Sequence, residues 1–257
     1  MNDQLGKSMK IILQFCLALL FGLNTLQAQQ FNALADAVIE KDTAKIEQLL
    51  QSGVDINTQH PTSGTTVLMI ASSYYYYDDM VEFLIKNGAK VNLRNSEGKT
   101  ALLWASSNSL ENAKILVASG AKVNEPANDG MTPFLQATLG VSSGKVSIEM
   151  CELLRKNGAN INAPLTRISA LGWTALHYAA VNGDSELVKY LIKHGANLNK
   201  ATGEGSSSLF LAKLGGYEEI IKILKNAGDI KIVYIDNWEV TEKRFFERNR
   251  QTFRIYP

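Results

Sequence analysis

The 257-residue chain predicts an all-α fold, a solenoid of stacked helix-turn-helix units. Three observations carry this expectation. Five small hydroxyl residues, Thr66, Thr100, Thr132, Thr174 and Ser207, each stand two places after a glycine and just before an apolar run, at spacings of 34, 32, 42 and 33 residues. A second series trails them: Gly88-Ala89, Gly120-Ala121, Gly158-Ala159, Gly195-Ala196 and Gly228, with Gly53 ahead of the first Thr. In VKYLIKHGA (188–196) the apolar positions recur at i, i+3 and i+4, which is one face of a helix.

Each observation has a physical reading. The oxygen of Thr or Ser accepts an orphan N–H of a first helical turn, so these residues start helices. Glycine just past a helix end takes the left-handed conformation that closes it. About 20 to 26 residues separate each cap from its glycine, enough for two short antiparallel helices and a turn. One such pair cannot bury its own apolar face, whereas stacked neighbours can, so the units must come as an array.

The repeats themselves are specific. GWTALHYAAVNGDSELVKYLIKHGANLN (172–199) resembles an ankyrin repeat across its whole length. GKTALLWASSNSLENAKILVASGAKVN (98–124) and residues 130–162 follow the same plan, while 64–92 and 205–228 are weaker copies. Residues 31–57 resemble an N-terminal capping repeat. The resemblance covers 31–229 and implies an ankyrin-repeat solenoid with finger loops, in six repeats at 31–57, 58–92, 93–124, 125–162, 163–199 and 200–229. Two family features survive once each: the proline after the cap at Pro133 and the histidine at His177, which by resemblance links neighbouring turns through hydrogen bonds. The resemblance also implies a concave surface of fingers and first helices that binds protein partners.

The first 28 residues differ in kind. Lys7 and Lys10 precede an apolar run of 13 residues, IILQFCLALLFGL (11–23), followed by NTLQA (24–28). This is the pattern of a secretory signal peptide, with a mature start near Gln29. It predicts an exported, bacterial-type member of the family, periplasmic or secreted. Cleavage removes Cys16 and leaves Cys151 alone, so the mature fold stands on packing without an internal disulfide.

Charge and motifs narrow the function. Lys and Arg number 26 against 25 Asp and Glu, which argues against a nucleic-acid binder with its basic face. GVSSG (140–144) fits G-x-S-x-G, but a nucleophile elbow needs a strand before it, and here it joins two helices. GVSSGKV (140–146) is one residue short of a phosphate loop, and Val146 stands where Ser or Thr should hold magnesium. His60, His177 and His194 lack metal-ligand spacing to Cys, Asp or Glu. His194 favours a helix C-terminus, and Cys151 reads as buried filler. The expectation is a non-enzymatic, monomeric protein-binding module with no cofactor, no metal, no nucleic acid and no membrane span after cleavage. Two alternatives stay open: a dedicated inhibitor or stabiliser of an exported enzyme, and an enzyme using inserted loops on the repeat scaffold.

The repeats also suggest where a partner sits. Lys99, Met131 and Trp173 fall between finger glycine and cap, on the groove side. Asn108, Leu139 and Asn182 follow the first helices. The period breaks at VSSGKV (141–146), between two helices, and at PLTRISA (164–170), a lengthened finger carrying Leu165, Arg167 and Ile168. Long loops in a tight array are often functional. Tyr74 to Tyr77 form an unbroken run at the end of one first helix and its turn; Tyr74 and Tyr75 are expected at the surface and Tyr77 inward. A partner lying across repeats two to five would touch this stripe. Residues 230–257 are basic and aromatic, with Trp238 and Phe245 on a short helix capped by Asp236 or Asn237. Both a C-terminal cap and a docking segment fit them.

Overall fold

The structure, a computed structural model, describes residues 25–228. The apolar leader run with Cys16, and the tail with Asp236, Asn237, Trp238 and Phe245, lie outside these residues. The chain divides into two compact units at Arg167 and Ile168. Among the described residues the regular structure is helical, apart from one isolated antiparallel bridge between Ala201 and Ser207. This is the all-α repeat solenoid class.

Unit one holds four helix pairs: α1 (helical over 25–39) with α2 (Thr43–Gln51), α3 (Val67–Ser73) with α4 (Asp78–Lys86), α5 (Ala101–Ala105) with α6 (Leu110–Ala118), and α7 (Pro133–Ser142) with α8 (Glu149–Lys156). First helices pack on first helices, α3 on α5 and α5 on α7; second helices do likewise, α4 on α6 and α6 on α8. Unit two opens with a 3-10 turn (Ile168–Ala170) and holds α9 (Ala175–Val181) with α10 (Ser185–Lys193), and α11 (Ser208–Leu214) with α12 (Glu218–Asn226). There α9 packs on α11 and α10 on α12.

All five hydroxyl residues start first helices. The Oγ atoms of Thr66, Thr100, Thr132 and Ser207 accept the N–H three residues on, at 3.2–3.3 Å. Thr174 instead shares a capping box with His177. Gly88, Gly120, Gly158 and Gly195 close second helices at φ between 84° and 93°, where a Cβ is disfavoured. The core follows the same register. Leu68, Leu102, Phe134, Leu176 and Leu209, each two places after a cap, are buried; so are Leu84, Leu116, Leu154, Leu191 and Leu224, each four before a glycine. Burying one such side chain contributes about 1.5–3 kcal/mol.

Side chains and fingers tie neighbouring repeats together. Asn57 Nδ2 donates to the Gly88 carbonyl at 3.1 Å, and its Oδ1 accepts from Lys90 N at 2.7 Å. Asn92 treats Gly120 and Lys122 the same way, at 3.0 and 2.9 Å, and Asn124 does so with Gly158 and Asn160, at 2.8 and 2.8 Å. Successive fingers are joined by main-chain bonds in unit one: Ser96 N to Ser63 O, Asn128 N to Glu97 O and Thr166 N to Asp129 O, at 2.8–3.0 Å.

The residues inserted at VSSGKV do not all fall in a loop. They lengthen α7 through Ser142, and only Ser143 to Ile148 form the turn, with Gly144 at φ 70°. Ser142 of the G-x-S-x-G sequence is therefore helical.

Candidate functional site

Finger residues directly before a cap and helix residues four after it share a face. In repeat three these are Lys99 and Trp104: the Lys99 ammonium lies 5.9 Å from the Trp104 ring centre and pairs with Glu97. The Trp104 indole N–H is shielded and has no acceptor among the described residues. Asn108 Nδ2 caps the same helix by donating to the Trp104 carbonyl at 2.7 Å. Leu139 on α7 is half-buried, as is Gln136, four after Thr132. The Gln136 amide reaches back to Ser107 Oγ at 2.9 Å.

In unit two the same offsets give Trp173 and Tyr178, with ring centres 5.0 Å apart and both rings half-buried. Asn182 is the C-cap of α9, its N–H donating to the Tyr178 carbonyl. Beneath this pair His177 is fully buried. Its Nε2 lies 3.0 Å from the Lys200 carbonyl, and its Nδ1 accepts from Thr174 N–H at 3.1 Å. That network requires the neutral ring with its proton on Nε2. Burial pushes the imidazole pKa down to about 4, against the raising effect of the backbone bonds to Lys200 and Ser206.

Two residues expected on the surface are not there. Leu165 is 0% exposed: the finger main chain is held at Thr166 by Asp129, and its aliphatic side chain turns into the core. Met131 is 8% exposed: its backbone is held by Ala127 N–H and the Asp129 side chain just as Lys99 is held by Asn95, but its apolar thioether lies inward. Arg167, at the end of unit one, is exposed, and Ile168, at the start of unit two, is 97% exposed.

The tyrosine run divides in two. Tyr74 and Tyr77 stack with centres 4.8 Å apart, and the Tyr77 hydroxyl donates to the Ile39 carbonyl at 2.7 Å. Tyr77, half-buried, is the inward member. Tyr74, Tyr75 and Tyr76 are exposed, the last two at 59% and 76%.

Trp104 and Tyr178 were legible but not singled out from sequence. The signal is the step of four from a cap, which also gives Ile70 and Gln136, all four half-buried; after Ser207 the same step gives Leu211, which is buried. Among the described residues no three His, Cys, Asp or Glu side chains group as a metal would need, and no helix is long and apolar enough to cross a membrane.

In each unit the first helices and fingers carry half-buried aromatics, Trp104 in unit one and Trp173 with Tyr178 in unit two. The family model for ankyrin repeats (3 copies) matches residues 34–127, 68–164 and 139–234, and the chain belongs to the ankyrin-repeat family. The chain is similar to Notch-regulated ankyrin repeat-containing protein A of Danio rerio, 38% identical over 71 residues, or 28% of this chain and 63% of that protein. Protein glp-1 of Caenorhabditis elegans is 25% identical over 211 residues, 80% of this chain and 16% of its own length. SH3 and multiple ankyrin repeat domains protein 2 of Homo sapiens is 27% identical over 197 residues, 76% and 10% respectively. The chain thus spans less than two thirds of each of these three. They are animal proteins and lend no support to an exported bacterial type. Ankyrin repeats form protein–protein interaction modules, and the family is in general a non-enzymatic scaffold.

Proposed function

We propose that the protein is an exported, non-enzymatic binding module of the cell envelope that holds a protein partner on its first-helix and finger face. The observation that carries this reading is the repeated pairing of a finger residue with an aromatic four places after the cap, Lys99 with Trp104 and Trp173 with Tyr178. Large, stiff rings with polar tips supply contact area at low entropic cost. On unit one the contributing residues are Tyr74, Tyr75, Lys99, Trp104, Asn108, Leu139 and Arg167; on unit two they are Ile168, Trp173, Tyr178 and Asn182. A dedicated inhibitor or stabiliser of one exported enzyme would use the same face.

The test has two arms. Affinity capture from the cell envelope should recover a partner that is lost with Trp104→Ala or Trp173→Ala while the melting temperature stays near that of the parent. Capture that survives both substitutions refutes this face. Export is tested separately: residues 1–28 act as a signal, so protein recovered from the envelope should start within a few residues of Gln29. Intact Met1 on that protein removes the cleavage proposal. Cleavage after Ala28 also removes the Gln27 bond to the Gln59 carbonyl, 2.9 Å.

A further inference from the structure

Two of the helix-to-helix turns in unit one border one cleft. One is the tyrosine turn of repeat two, a residue longer than the turn at 182–184; the other is the turn after α7. Between them lies the start of α6. The cleft has a volume of about 430 Å³ and is lined by Tyr75, Tyr76, Asp78, Glu111, Lys145 and Ser147, among others.

The tyrosine wall is built for exposure. Lys41, Tyr76, Gly183 and Gly216 each immediately precede the N-cap of a second helix, and each has positive φ, 55°, 60°, 75° and 69°. At this position a residue with a Cβ is disfavoured, and two repeats use glycine. Repeat two instead holds a tyrosine there, 76% exposed. The turn is pinned from three sides: the Lys41 ammonium bonds the Tyr76 carbonyl, the Tyr77 hydroxyl bonds Ile39, and Asn112 Nδ2 donates to the Tyr74 carbonyl at 2.9 Å. Backbone strain persists only where the surroundings over-determine it, and it collects at functional sites.

The exposed pair is shaped for a cation. The Tyr75 and Tyr76 rings meet edge to face, centres 4.6 Å apart at 88°, so two π faces stand at right angles. Asp78 lines the same cleft and has no ion-pair partner among the described residues. Glu111 gives one oxygen to Lys114 at 2.7 Å and keeps the other. Lys145, equally without an ion pair there, is left to meet main-chain carbonyls of an incoming segment.

We infer that this cleft is a second binding site, sharing only Tyr75 with the first-helix face, which takes an arginine or lysine side chain from a segment of a protein partner. The cation lies against the Tyr75 and Tyr76 rings and pairs with the Asp78 and Glu111 carboxylates.

The test is a backbone NMR titration of the full chain with acetyl-Gly-Arg-Gly-amide, and with the Glu and Gln analogues. The expected result is saturable shifts at Tyr75, Tyr76, Glu111 and Lys145 with the Arg peptide alone. Asp78→Asn should weaken it at least fivefold, and Lys145→Glu should tighten it. Tyr76→Gly restores the residue two other repeats use, so it should lose binding without lowering the melting temperature. Equal shifts with the Gln peptide, selective shifts with the Glu peptide, no saturation with any, or full affinity in Tyr76→Gly would each overturn the site. Trp104→Ala leaves this titration unchanged, so failure of the first-helix face is read independently.

Discussion

The rings of Trp173 and Tyr178 lie 5.0 Å apart at an angle of 50°, one from a finger and the other from the first helix behind it. Lys99 and Trp104 repeat the relationship with a cation over the ring. The pairing is a staple: the cap residue is extended, so the chain before it turns back and the residue ahead of the cap packs against the one four after it. Trp173→Ala and Trp104→Ala should each weaken partner binding by roughly 2 kcal/mol, about thirtyfold. Because both rings are half-buried, the stability lost should fall below the about 3–5 kcal/mol of a fully buried aromatic. Calorimetric titration beside thermal melts distinguishes the two; a collapse of the melt with unchanged affinity would mean the rings serve the fold.

The asparagine bridges make a separate prediction. Asn92 satisfies two main-chain groups of the next repeat, the Gly120 carbonyl and the Lys122 N–H. Asn92→Ala removes both bonds and should cost about 1–2 kcal/mol in urea denaturation. Asn92→Asp keeps the acceptor and loses the donor, so it should fall between. Equal stability of all three would show that water replaces the bridge without loss.

Caps, closing glycines and, among the described residues, the six helix pairs were readable, because each rests on local chemistry that repeats in register. What escaped depends on how a loop folds back. Met131 and Trp173 occupy the same place in their repeats, yet Met131 is buried and Trp173 is not. A flexible thioether folds inward where a rigid indole beside Tyr178 stands out. Leu165 lies in a lengthened finger that reads as surface, but an aliphatic side chain there finds the core. The asparagines at 57, 92 and 124 look like ordinary polar loop residues, since their partners lie 28 to 36 residues on. The tyrosine turn was placed correctly at the surface, while the positive φ of Tyr76 followed only from its register with Gly183.

Thr174 is the cap with most at stake. Its N–H donates to His177 Nδ1, and its Oγ1 lies 2.8 Å from the same atom. Thr174→Ala should cost on the order of 1 kcal/mol from the lost cap. Thr174→Ser keeps the oxygen and should retain most of that. Unchanged denaturation of the Ala variant would show that the hydroxyl contributes nothing to α9.

His177 gives the fold a pH dependence whose sign is determined. Burial lowers its pKa to about 4 in the folded state, below the ordinary value of 6.5. Protonating Nδ1 would set its new N–H against the Thr174 N–H, two donors face to face. Above pH 6.5 the ring is neutral in both folded and unfolded chains, and its full contribution is present. Between pH 6.5 and about 4 the unfolded chain takes up a proton that the folded chain refuses. Stability then falls on acidification by up to about 1.4 kcal/mol per pH unit, on the order of 3 kcal/mol in all. Below that window both states are protonated and the loss levels off. His177→Asn removes the titration, at the cost of the Lys200 bond at neutral pH. The stability difference between the parent and this variant should therefore shrink as pH drops from 7 to 4, since all other titrating groups are common to both. Urea denaturation at several pH values reads that difference, and the imidazole NMR signal reads the midpoint directly. A midpoint near 6.5, or a difference constant with pH, would show that water reaches the ring.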